Sequence, residues 1–211
     1  MKKSIIAIFL TVLAIGCFMS CSKSNNEQTA EQPPVQQDLV EQSESSGLID
    51  LIMRSYSGRM YTESLVSDDV IETILQSGQK APSAMNSQPW HFTVVKDIAL
   101  ASQLASRDYK EGVAVIVVSG KPHDRPGLNA VFDVALAAQN IYLAAQALGL
   151  GARHYFNGVQ NINENLKGVL GIPDAYEAQI IILAGYLDDS ADALTSASPR
   201  RPLEDNVNYV K

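Results

Sequence analysis

At 211 residues the chain can hold one domain with a sizeable core. Hydrophobic residues make up 46% and charged residues 18%, a globular composition far from that of a disordered chain. A formal net charge of −7 argues against a nucleic-acid partner gripped through its phosphates.

The N-terminal stretch has three parts. Met1-Lys2-Lys3 is positively charged, and Ser4 to Met19 is an apolar run that falls short of the ~20 residues needed to span a bilayer. Small residues and cysteines follow, which reads as a cleaved secretory signal. The arrangement resembles a bacterial lipoprotein signal, in which a cysteine is lipidated and becomes the first mature residue. Ala14-Ile15-Gly16 places the better small residues before Cys17, whereas Cys21 opens directly onto polar Ser22-Lys23-Ser24-Asn25-Asn26. Cys21 is preferred, and simple secretion without a lipid is the alternative. The expected organisation is a signal peptide over 1–20, a flexible tether over 21–46 rich in Gln, Glu and Ser, and a folded domain over 47–211. The expected location is the cell envelope outside the cytoplasm, held to a membrane by the N-terminal lipid anchor.

Cys17 and Cys21 are the only cysteines, so the folded part has no thiol for a disulfide, a cysteine metal site or a nucleophile. His91, His123 and His154 lack ligand-type spacing, and each reads as a surface or core-edge histidine. No metal site is expected.

A short helix is predicted from Gly47 to Met53. The irregular stretch Arg54-Ser55-Tyr56-Ser57-Gly58-Arg59-Met60-Tyr61 carries cations and hydroxyls able to grip a phosphate by charge-assisted hydrogen bonds, or to form a solvated turn. Ser67 reads as the N-cap of a helix with Asp68 and Asp69 in its first turn, an apolar stripe of Val70, Ile71, Ile74 and Leu75, and an end near Gly78.

Next comes Ala81-Pro82-Ser83-Ala84-Met85-Asn86-Ser87-Gln88-Pro89-Trp90-His91-Phe92. Its prolines and small polar residues cannot continue the helix, so the backbone here is extended or turned. Such a segment leaves backbone N–H and C=O groups free to meet a planar polar ligand, and Asn86 and Gln88 each add a donor and an acceptor. Trp90 is the apolar anchor where the loop rejoins the core.

A strand is predicted over Phe92–Lys96, a surface helix over Asp97–Ser106, and a strand buried on both faces over Val113–Val118. Lys121–Gly127 reads as a polar loop. Asn129–Leu148 has the pattern of a long helix, apolar almost all round, with Asp133 as its only charge. Such a helix is buried inside the domain or under a partner. Gly149-Leu150-Gly151 ends it and is no dinucleotide fingerprint, since it follows a helix and lacks the third glycine. A helix over Asn161–Leu170, closed by Gly171 and Pro173, and a last strand over Tyr176–Leu187 complete the set. The order lacks βαβ regularity, so an α+β fold is expected, a central mixed sheet flanked by helices.

Pro82-Ser83-Ala84-Met85-Asn86-Ser87-Gln88-Pro89-Trp90 resembles the P-S-x-x-N-x-Q-P-W signature of the nitroreductase family of FMN-dependent oxidoreductases, and residues 48–210 follow that family's order of segments. The resemblance implies a homodimer in which this loop, through Pro82, Ser83, Ala84, Asn86 and Gln88, reaches the flavin bound mainly by the other subunit. It implies that Ser57 and Arg59 hold the FMN phosphate. Ser55 stands where the family has a first arginine; Arg54 sits one residue early and either restores that contact by a shift or leaves the site one cation short. It further implies that Arg200, with Arg201 next, returns to the phosphate, and that backbone N–H groups at Tyr155, Phe156 and Asn157 lie near the flavin ring.

No Ser-His-Asp set and no convincing carboxylate pair is visible in the sequence, which suits chemistry carried by flavin N5. The implied activity is ping-pong reduction of nitroaromatics, quinones or related small-molecule acceptors, with NAD(P)H or another compound as donor. The alternatives are a non-enzymatic binding or scaffolding lipoprotein that keeps the fold, and a different flavin reaction such as reductive dehalogenation. Export past the cytoplasm weighs toward the scaffold, because flavin would have to be acquired outside, where nicotinamide donors are scarce.

Overall fold

The apolar runs at 113–118 and 180–184 form adjacent strands at the centre of one sheet. A computed structural model describes residues 47–105, 110–188 and 200–210; the expected signal and tether, with Cys21, lie outside the described residues. Strands β1 (Trp90–Val95), β2 (Ala114–Gly120), β3 (Gly151–Tyr155) and β4 (Glu177–Gly185) are ordered β1-β2-β4-β3. Every residue of β2 is buried. Ile116 and Val118 enter one core with Ile180, Ile182 and Ala184, while Val115 and Val117 enter another with Ile181 and Leu183. A strand buried on both faces has no polar side to alternate with, hence the unbroken apolar run.

Helix α1 covers 47–54. Helices α2 (Asp68–Gln79) and α4 (Ala130–Ala147) cover the first face of the sheet, and α3 (Ile98–Ala105) with the 159–172 segment covers the second. Ser67 caps α2, accepting from Val70 N, and Asn129 caps α4, accepting from Val131 N. Helices α2 and α4 approach closely at Gly78, where an added Cβ would lie 2.7 Å from Ile141 Cγ1. Helix α3 is amphipathic and no mere surface helix: Asp97 Oδ1 accepts from Leu100 N at 2.8 Å, and Ala101 and Leu104 are buried.

The fold is α+β, as expected, with two differences. Among the described residues the four strands pair antiparallel, and the one parallel pairing is the isolated bridge of Ser57 with Ala152. Each hydrogen-bonded neighbour therefore starts at the end of the sheet where its partner stops, a geometry that periodicity cannot reveal. The helix expected over 161–170 is instead α5 (Val159–Asn161) followed by a wider π-type turn, Ile162–Leu166. There the Asn163 side chain accepts from Ala178 N (2.8 Å) and donates to Ala178 O (3.0 Å), a two-point hold on β4 beside the β2–β4 register shift.

Candidate functional site

The loop between α2 and β1 has an unusual backbone. Ser83 is extended, Ala84–Asn86 form a 3-10 turn, and Met85, Asn86 and Gln88 take φ values of 53°, 53° and 46°. Three left-handed non-glycine residues each cost on the order of 1–3 kcal/mol unless their surroundings over-determine them. The surroundings here do so. Asn86 N donates to Ser83 O (3.0 Å), Ser87 N to Ala84 O (3.1 Å), and Gln88 N to Ser83 Oγ (3.0 Å). Lys121 N donates to Pro89 O at 3.0 Å, which ties the loop's exit to the end of β2. Trp90 is buried as the expected anchor, its Nε1 donating to Gln79 Oε1 at 3.2 Å. Pro82, Asn86 and Gln88 are exposed, and the two amides face one another, Gln88 Nε2 lying 3.3 Å from Asn86 Oδ1.

Beneath the loop lies a buried polar line that was invisible in the sequence. Asp133, in the first turn of α4, accepts from Ala84 N at Oδ1 (3.2 Å) and faces His123 Nε2 at Oδ2 (2.8 Å). His123 Nδ1 lies 3.3 Å from Ser87 Oγ. The side chains of His123 and Asp133 are only 3% and 8% exposed. The expectation of no Ser-His-Asp set is thus corrected: the three meet because the 121–129 loop folds back over the start of α4. Among the signals available, only the lone charge on an apolar helix pointed to Asp133.

The 54–61 segment lies elsewhere. Arg54 and Arg59 are exposed, and Ser55 Oγ donates to Ile52 O (2.8 Å) at the end of α1. Ser57 bridges Ala152 of β3, and Gly58 N donates to Ala152 O at 3.0 Å. Gly58 is buried, and a Cβ there would stand 2.9 Å from Leu187 Cδ2 and 3.3 Å from the Gly151 Cα, so the segment packs closely against β3. Ser57 and Arg59 flank Gly58 and remain exposed. Tyr56 N donates to Gln146 Oε1 (3.3 Å) in the last turn of α4, and the buried Gln146 Nε2 has no partner among the described residues.

Ser57 and the 155–157 stretch share one edge. Strand β3 is the outer strand, so from Ala152 to Tyr155 it carries the segment about 10 Å along the sheet. Tyr155 is half-buried with the Arg153 guanidinium 4.7 Å from its ring centre, while Phe156 and Asn157 are exposed. His154 stacks on Tyr142 at 4.8 Å and donates through Nε2 to Ala138 O at 3.3 Å. Burial lowers its pKa, and the backbone bond opposes this in part. Arg200 and Arg201 are exposed in the separate 200–210 segment, where Arg201 Nη2 donates to Asn206 Oδ1 at 2.7 Å. Among the described residues no group of three or more His, Cys, Asp and Glu could hold a metal ion.

Residues 52–115 and 101–186 match the Nitroreductase family. Over 152 residues the chain is 34% identical to an Archaeoglobus fulgidus protein provisionally named NADH dehydrogenase/NAD(P)H nitroreductase, a match covering 67% of this chain and 86% of that one. It is 27% identical over 172 residues to the NADPH-flavin oxidoreductase of Vibrio harveyi, covering 73% and 70% of the two chains. A nitroreductase structure with bound FMN from Desulfitobacterium hafniense DCB-2 superimposes with a TM-score of 0.61 at 25% identity, covering 78% of this chain and 98% of that one.

Proposed function

The chain belongs to the nitroreductase family, and from that premise we propose that it is an FMN-dependent oxidoreductase taking electrons from NAD(P)H. Its acceptors are nitroaromatics, quinones or related small molecules, reduced in a ping-pong cycle. When bound, FMN supplies hydride transfer through N5 of its ring; the chain's own residues bind and orient it.

The donor set suits a phosphorylated flavin. Ser57 and Arg59 stand exposed around the closely packed Gly58, and Gln146 Nε2, without a partner among the described residues, is buried beside the same segment. On this reading these two residues, with Arg54, Arg200 and Arg201, hold the phosphate, and the main chain at Tyr155, Phe156 and Asn157 lies along the ring. Pro82, Ser83, Ala84, Asn86 and Gln88 contact the flavin of the other subunit.

One observation carries this division of labour. The 83–88 loop is bonded to the first turn of α4 through Asp133, and the 54–59 segment to its last turn through Gln146. At 1.5 Å per residue the two anchor points stand about 20 Å apart along the helix. One chain therefore holds the two halves of the residue set at opposite ends of α4, and a second copy packed antiparallel on that helix would join them. Val131, Phe132 and Leu136 offer a face for it, being 50%, 71% and 44% exposed on α4. Large apolar side chains clustered on the surface of a buried-type helix fit an interface.

The proposed location is the cell envelope, resting on Met1–Ser20 and a lipidated Cys21. The functional test is a preparation of residues 22–211 with FMN supplied. Anaerobic NADPH should bleach the flavin, and a quinone or nitroaromatic should restore its colour. A folded protein that takes up no FMN would instead support the scaffolding lipoprotein; one that binds FMN but reacts with neither acceptor would point to a different flavin reaction.

A further inference from the structure

The Ser87, His123 and Asp133 line has the order of a nucleophile, a base and an acid, but the donors that acyl transfer needs are already engaged. Such chemistry requires free N–H groups beside the nucleophile to bind a developing oxyanion. In this loop Ala84 N is held by Asp133 Oδ1, Asn86 N by Ser83 O, Ser87 N by Ala84 O and Gln88 N by Ser83 Oγ. These groups shape the loop.

The same line ties both halves of the loop to α4. Its entry is attached directly, Ala84 N to Asp133; its exit is attached through Ser87 Oγ, His123 Nδ1, His123 Nε2 and Asp133 Oδ2. Between the two attachment points lie Met85 and Asn86, with Gln88 one residue beyond, the three non-glycine residues with left-handed backbone among the described residues. Both carboxylate oxygens of Asp133 are used, one on each arm. The carboxylate accepts from Nε2, which leaves Nδ1 to meet the serine hydroxyl. An isolated loop would relax out of this conformation, whereas one held from beneath at two points has little freedom to do so.

We propose that His123 and Asp133 are positioning residues that clamp the 83–88 loop in its left-handed form, so that the amides of Asn86 and Gln88 are in place before any cofactor arrives. This rests on the reading of that loop as a flavin contact, and the test separates the two. Asp133→Ala removes both acceptors at once. Asp133→Asn keeps an acceptor for Ala84 N and offers its amide to the imidazole, whose other tautomer can accept from it and donate to Ser87.

Hydrogen exchange at the Ala84 amide is measured without FMN, and FMN affinity is measured well below the melting temperature. In Asp133→Ala exchange should quicken and affinity should fall, each by about tenfold or more, the effect of one lost charged hydrogen bond. In Asp133→Asn both should stay within about threefold of wild type. If Asp133→Ala does not fold, His123→Ala carries the test. It leaves the Ala84 contact and should quicken exchange only at Ser87 and Gln88, with affinity weakened about three- to tenfold. A lowered melting temperature with unchanged exchange and affinity would overturn the clamp, as would an asparagine variant behaving like the alanine one. If wild type binds no FMN, the oxidoreductase reading fails, and amide exchange alone decides the clamp.

Discussion

Asp133 and Gln146 mark the two ends of one helix, and each receives a backbone N–H from a different segment: Ala84 of the 83–88 loop at one end, Tyr56 of the 54–61 segment at the other. That separation makes a specific demand on a hybrid dimer. If one protomer carries Arg59→Ala and the other Asn86→Ala, each hybrid should hold one intact FMN site, because both defects fall in the same site. Were the loop to act within its own chain, every site would carry one defect and mixing would restore nothing. Isothermal titration of reassorted protein against each parent distinguishes the two.

Dimerisation itself should depend on the apolar face of α4. Phe132→Asp places a charge where a partner would cover 71% exposed ring surface, and desolvating it costs several kcal/mol. Sedimentation equilibrium at micromolar concentration should show wild type as a dimer and the variant as a monomer with little FMN. A wild-type monomer that still binds FMN would refute the shared site.

Arg59 should act through the phosphate. A hydrogen bond to a charged group contributes roughly 1.5–3 kcal/mol, so Arg59→Ala should weaken FMN about 10- to 100-fold. Riboflavin, without the phosphate, should bind wild type more weakly and respond little to the substitution. Equal weakening of both ligands with the fold intact would count against the phosphate assignment.

His154 should make the fold acid-sensitive. Burial holds its pKa below the ordinary 6.5, the bond to Ala138 O opposing in part. The unfolded chain therefore takes up the proton first, and stability falls as pH drops below 6.5 toward the folded value, with no contribution above it. Melting temperatures from about pH 7 to about pH 5 should fall more steeply for wild type than for His154→Gln. Parallel curves would show that the histidine is not the cause.

Gly158 fixes the strand-to-helix turn that follows Tyr155, Phe156 and Asn157. Its φ of −115° suits any residue, but an added Cβ would lie 1.4 Å from Leu104 O on α3. Gly158→Ala must push two backbones apart and should cost at least about 1–3 kcal/mol, read by urea denaturation. An unchanged midpoint would mean that α3 yields freely.

Lipidation should require Cys21, where the polar stretch of the sequence begins. Labelled fatty acid should enter wild type and be absent from Cys21→Ala. Incorporation that survives this change but is lost in Cys17→Ala would move the site.

Much of the architecture is local information and was legible in the residues. Ser67 caps a helix because its own side chain reaches the next free N–H. The run at 113–118 is a doubly buried strand because it has no polar alternation, and the 82–90 loop breaks the helix because proline cannot continue one. The signature in that loop also carried the family, since it is a contiguous pattern. What the sequence could not determine joins residues that are distant along it. Antiparallel pairing, the Ser57–Ala152 bridge and the π-type turn at 162–166 depend on strand register and on which end of the sheet each connection returns to. The polar line beneath the loop is the clearest case. His123 sat in what read as an ordinary solvated loop and Asp133 on an apolar helix, and only packing α4 against the sheet brings them together under Ser87. Once buried, a carboxylate must find partners, and the tertiary structure decided that they would be Ala84 N and His123.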